Sequence, residues 1–154
     1  MKLLRMPLAK QLLLVEAVLY LGWGRILKAL PFSTVAPGLG ATMVETSMEL
    51  ETANAHILKR VSWAVGLMSR HTWWESMCLV KAIAAMKMLE RRKIESTLYL
   101  GTSRDGSGKM IAHAWLRSGP FYITGSEEME KFTVVGIFGK SLHSLKQQGR
   151  VQNG

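Results

Sequence analysis

The sequence predicts an α+β fold, with helices first and an antiparallel sheet after them. Two observations predict it. Up to Arg92, apolar residues recur at helical spacing. From Thr97 onward the chain breaks into short runs of β-branched and aromatic residues, punctuated by glycine and proline bends. The length of 154 residues, with 48% hydrophobic and 20% charged residues, suits one domain able to bury a core.

The first helix is expected over residues 8–30 and is stopped by Pro31. Residues 32–42 carry Pro37, Gly38 and Gly40 and read as a loop. A second helix is expected over 43–69, with Ile57, Val61, Ala64, Val65 and Met68 as its buried stripe. A third begins near Ser76, a residue suited to capping, and runs to about Arg92. Its inward stripe is Leu79, Ala82, Ile83, Met86 and Leu89. Strands follow at 97–101, 111–117, 120–124 and 132–138, with Ser103–Lys109 as the turn of a hairpin. This divides the chain into an N-terminal helical region (1–70), a core (71–146) and a polar tail (147–154).

Composition narrows the function. The net charge is +9, from 20 Lys and Arg against 11 Asp and Glu. The basic residues are scattered, and no basic run interleaves with aromatics as a nucleic-acid platform requires, so nucleic acid is not the expected partner. The single cysteine, Cys78, forms no internal disulfide, which fits a reducing cytosol. Lys2 and Arg5 ahead of the apolar run Leu12–Trp23 resemble a signal peptide. Glu16 interrupts that run, however, and no small-x-small cleavage site follows. It is also shorter than the roughly 20 residues of a spanning helix. Lys10, Gln11, Arg25 and Lys28 share one helical face, so this helix lies on something apolar. Its own core is the ordinary choice; a partner or a membrane surface is the other.

Two residues carry chemistry. Thiolate is the nucleophilic form of cysteine, and a helix N-terminus favours it; Cys78 falls in the first turn of the third helix. Alone, such a cysteine is more often a small buried hydrophobe. His113 lies in the strand Ile111–Ala112–His113–Ala114–Trp115. There His113, Trp115 and Arg117 share one face, while Ala112, Ala114 and Leu116 share the other. The ordinary role for His113 is a structural histidine bonded to a carbonyl. The other histidines, His56, His71 and His143, read as surface or structural. The SRDGSGK turn lacks Walker spacing and reads as a hairpin rather than a phosphate loop. No cysteine and histidine cluster has zinc-ligand spacing.

The combination is more specific than its parts. Trp74 precedes Cys78-Leu79; then come Leu89, Arg91-Arg92, Leu100-Gly101 and Ala112-His113-Ala114-Trp115. From Trp73 to Phe138 the chain closely resembles the leader peptidase of lasso peptide biosynthesis, a transglutaminase-like cysteine protease, in its stand-alone form. The resemblance implies N-terminal helices followed by a papain/transglutaminase-like core, with the catalytic helix packed on an antiparallel sheet. It implies a cysteine-type endopeptidase without cofactor or metal. Cys78 attacks the carbonyl at the leader–core junction of a lasso precursor peptide, and His113 takes the thiol proton. Two further partners are implied: a separate leader-recognition protein, and an ATP-dependent lasso cyclase that closes the ring.

Two positions depart from the family pattern. Lys93 stands where the family has a helix-capping glycine, and Gly125 stands where many members have a histidine-orienting aspartate. The candidates to orient His113 are therefore a backbone carbonyl, Thr124, Glu127 or Glu128, the two glutamates being otherwise a solvated acidic turn. Trp73, Trp74 and Trp115 are candidates to line the substrate cleft. A related amidase or transglutaminase shares the nucleophile, and an inactive binding module shares the fold. A membrane-surface adaptor built on the first helix is the remaining alternative.

Overall fold

The computed structural model describes residues 2–49, 51–72 and 77–141, in the order α1 (Leu8–Ala29), α2 (Phe32–Leu39), β1 (Ala41–Thr42), α3 (Ala55–Ser69), α4 (Cys78–Arg91), β2 (Ser96–Arg104), β3 (Met110–Ser118), β4 (Phe121–Thr124) and β5 (Thr133–Lys140). The five strands form one antiparallel sheet in the order β1-β5-β2-β3-β4. Helices α1, α3 and α4 pack together, and α4 lies against β2, β3 and β4. The predicted mix of N-terminal helices and an antiparallel sheet is therefore the observed one.

Helix α4 sits at the centre. Val80, Ala82–Met86, Met88 and Leu89 are all buried, so the predicted inward stripe is only part of a helix covered on most sides. Alpha-helix α1 crosses it closely at Gly24, where a Cβ would come within 3.1 Å of the Val80 carbonyl oxygen. At the other end of α4, Arg92 makes a two-pronged ion pair with Glu16 at 2.7 Å, and Arg91 adds a contact at 3.1 Å. Burial pushes the Glu16 carboxyl up, yet the hydrogen bonds and charges of Arg92 and Arg91 together hold it below the usual carboxylate range. One buried cluster takes residues from Leu13 through Phe138, on both sides of residue 70. The polar tail at 147–154 and His143 lie outside the described residues.

Two expectations need correction. Residues 32–39 form α2 rather than a loop. Pro31 precedes the first turn, where a missing N–H costs nothing, and Pro37 falls in the last turn. Burial of Val35 and Leu39, with Phe32 edge-on to Phe138, holds this short helix in place. The second predicted helix starts late. Only Ala55–Ser69 is α-helical, and residues 43–49 instead run as an irregular strap. Thr46 and Ser47 give their carbonyls to Arg117, and the Thr46 N–H bonds to Thr97 Oγ1 at 2.9 Å. A helix would consume those same backbone groups. Of the predicted stripe, Val61, Ala64, Val65 and Met68 are buried, joined by Leu58, while Ile57 is half-buried.

Lys93 ends α4 with φ 58°, in the left-handed region, after which the Ile94 N–H closes on the Leu89 carbonyl. A side chain there is strained, and glycine is not. Lys93→Gly is expected to stabilise the fold by about 0.5–1 kcal/mol, read as a raised urea midpoint with unchanged slope.

Candidate active site

Cys78 is the first residue of α4 and is half-buried against the core. Its preceding residue, Met77, supplies no side-chain cap, and the first turn holds no acidic residue. The positive end of the helix is thus not offset by a carboxylate of its own turn. Lys28, at the end of α1, donates to the Met77 sulfur and brings an ammonium to the same place. Ser76, the expected cap, and Trp73 and Trp74 lie outside the described residues.

His113 stands near the start of β3, paired across the sheet with Gly101 of β2. Its ring stacks against Trp115 at 5.7 Å and tilts against Phe132 at 5.0 Å. Tyr99 stacks on the far side of Trp115, also at 5.7 Å. Trp115 is 4% exposed, so it supports the imidazole from below rather than lining an open cleft.

Among the described residues, a single hydrogen bond orients the imidazole. His113 Nε2 lies 2.7 Å from the Gly125 carbonyl oxygen. A carbonyl only accepts, so Nε2 is the donor of this bond. Among the described residues Nδ1 has no hydrogen-bond partner. Thr124 does not fill this role: its Oγ1 is buried without a partner. Neither do Glu127 and Glu128, which are exposed in the 3-10 turn Ser126–Lys131 that follows; neither bonds to His113.

Gly125 is therefore the residue missed by side-chain reasoning, for its contribution is a backbone atom. Its φ is 77°, and a Cβ there would sit 2.5 Å from the Ala114 carbonyl oxygen and 2.9 Å from Trp115 Cβ. Both the conformation and the space exclude a side chain, aspartate included. Gly125→Ala and Gly125→Asp are each expected to cost about 2–4 kcal/mol in a denaturant titration, from left-handed strain plus overpacking. If Gly125→Asp proved as stable as the parent, the close approach would be wrong.

The two key residues sit at the same end of the molecule. The tight connection after α4 turns β2 back along that helix. With rises of about 1.5 Å per helical residue and about 3.4 Å per strand residue, the start of α4 is level with the Gly101 region of β2. They differ in face. Ala114 and Leu116 share the core with α4, and His113 alternates to the opposite side with Trp115 and Arg117. Among the described residues, no hydrogen bond joins Cys78 to His113. No group of three or more His, Cys, Asp or Glu among them could hold a metal ion, and no helix is long and apolar enough to cross a membrane.

A family model, described as the Transglutaminase-like superfamily, matches residues 18–136. The chain belongs to the transglutaminase-like superfamily. No curated protein and no solved structure matches it. The family match takes in most of α1 as well as α4 and the sheet up to β5, so the N-terminal helices belong to the matched region. A transglutaminase-like domain is a cysteine protease or acyl-transfer fold.

Proposed function

We propose that this transglutaminase-like chain is a cysteine endopeptidase that removes the leader from a lasso peptide precursor before ring closure. The observation that carries the reading is the placement of Cys78 as the first residue of α4 in a chain whose residues 18–136 match the transglutaminase-like family. Cys78, at an uncapped helix start, is the nucleophile. Proton transfer from the thiol to Nδ1, for which the ring must turn from the far face of the sheet toward α4, gives a thiolate and an imidazolium. The sulfur attacks the junction carbonyl, and the imidazolium protonates the departing core amine. Water then releases the leader acyl group. The backbone N–H of Cys78 is the first donor for the developing oxyanion.

A separate leader-recognition protein would present the substrate, and an ATP-dependent cyclase would take the freed core. With a lasso precursor as substrate, cleavage followed by mass spectrometry should be slow for this chain alone. Adding the leader-binding protein should accelerate it, since delivery to the site can supply several kcal/mol. Equal rates with and without that protein would refute the division of labour. A product mass showing an added amine instead of water would assign an acyl transferase.

An inactive binding module has one observation in its favour: His113 faces away from the α4 side of the sheet, with no hydrogen bond to Cys78. That reading requires Cys78→Ala to retain full function.

A further inference from the structure

Helix α1 has two apolar faces. One, with Leu13, Leu14, Ala17 and Leu21, is spent on the core. The other leaves Leu12 61%, Leu19 68% and Trp23 48% exposed, with Val15 in the same row. The spacing of Leu12, Val15, Leu19, Trp23 and Ile26 is that of a continuous helical stripe. It is not flat. Together with Ile57 of α3 it walls a groove of about 760 Å³ that runs toward the end of α4.

The charges around the groove are unequal. Arg60, Arg91 and Arg92 line it, and Glu16 is the single carboxylate. Glu16 is already shared between Arg91 and Arg92, and Arg60 has no ion pair among the described residues. The groove is thus an apolar trough with surplus guanidinium at its rim. We propose that it docks an amphipathic helix of a partner protein, with an apolar ridge flanked by carboxylates. A helical ridge fills a trough of this kind, as helix-in-groove recognition requires, and arginine at the rim favours acidic flanks.

The geometry disfavours two other occupants. A second copy would bring its own α1, whose exposed charges, Lys10 and Arg25, are both basic, against the same basic rim. A bilayer surface would cover the ridge of α1 but leave the trough beside it unfilled. The proposal does not depend on the reading of Cys78, because the groove lies in the helical layer and its test reads binding alone.

The probe is a fluorescein-labelled designed helix with leucines at i, i+4, i+7 and i+11 and glutamates flanking that ridge. A second peptide has the same ridge flanked by lysines. The glutamate peptide should bind at least about tenfold more tightly, with the preference weakening as salt rises. Amide shifts should move at residues 12–23 and 57–60. Leu19→Glu should abolish binding without changing the melting temperature, because Leu19 is exposed. Arg60→Glu combined with Arg91→Glu should reverse the preference. Equal affinity for the two peptides, or no binding, would overturn the proposal. So would partition onto phosphatidylglycerol vesicles without peptide preference, or a concentration-dependent dimer broken by Leu19→Glu.

Discussion

Cys78→Ala is expected to lower precursor cleavage by at least about a thousandfold while leaving the fold intact, because the proposed acyl intermediate forms on the Cys78 sulfur. His113→Ala should cost about as much, since the two residues act as one unit and lose their effect together. Iodoacetamide should modify Cys78 in the folded protein, and an acyl-enzyme trapped in the first turnover should map to it. The remaining candidates should form a shallow series. Thr124→Ala should cost less than about tenfold, since Thr124 Oγ1 makes no hydrogen bond to lose. Glu127→Gln and Glu128→Gln should change little, since both glutamates are exposed and away from the ring. A thousandfold loss from either glutamate change would mean that a carboxylate orients His113 in the working enzyme, and the Gly125 carbonyl would lose that role. Full cleavage by Cys78→Ala would end the cysteine-protease reading altogether.

Arg117→Met is expected to be the most destabilising side-chain truncation on the far face of the sheet, by about 3–5 kcal/mol. Arg117 is 1% exposed, and among the described residues no carboxylate touches it. Its guanidinium instead donates to Tyr99 Oη at 3.0 Å, Gly119 O at 2.8 Å, Ser47 O at 3.1 Å, Thr46 O at 3.0 Å and, more weakly, Thr97 Oγ1 at 3.4 Å. The nearest compensating carboxylate is one bond further out, for Tyr99 donates to Glu45 Oε1 at 2.6 Å. Burial, and the hydrogen bond to Glu45, push the Tyr99 phenol up, which keeps it a donor. Methionine would fill much of the volume and leave two buried carbonyls, Thr46 and Gly119, and the part-buried Ser47 carbonyl without their donor. Each unmet acceptor costs about 1–3 kcal/mol, and the losses overlap. Arg117→Lys should recover only part, because one ammonium cannot reproduce the planar fork. Urea titration measures the loss. Hydrogen exchange should locate it, with the Thr46 amide losing protection first. A loss below about 1 kcal/mol would show that water satisfies these carbonyls and that the strap is not held by Arg117.

Much of the fold was legible because its signals are local. Helix α4 and the four longer strands declare themselves through residue spacing, and α1 ends where Pro31 requires it. Cys78 at a helix start and the shared face of His113, Trp115 and Arg117 follow from the same periodicities. What remained hidden depends on groups far apart in the chain or on atoms without a letter. Residues 43–49 look helical until Arg117, seventy residues from Ser47, claims their carbonyls. The strand order, with β5 inserted between β1 and β2, rests on pairings that no local pattern encodes. The group that holds the His113 ring is the Gly125 carbonyl. A search for side chains finds glycine there and stops, whereas the tertiary structure bends that residue into the left-handed region and brings its oxygen within 2.7 Å of His113. Every residue carries such an oxygen, so only the path of the chain decides which one meets the imidazole.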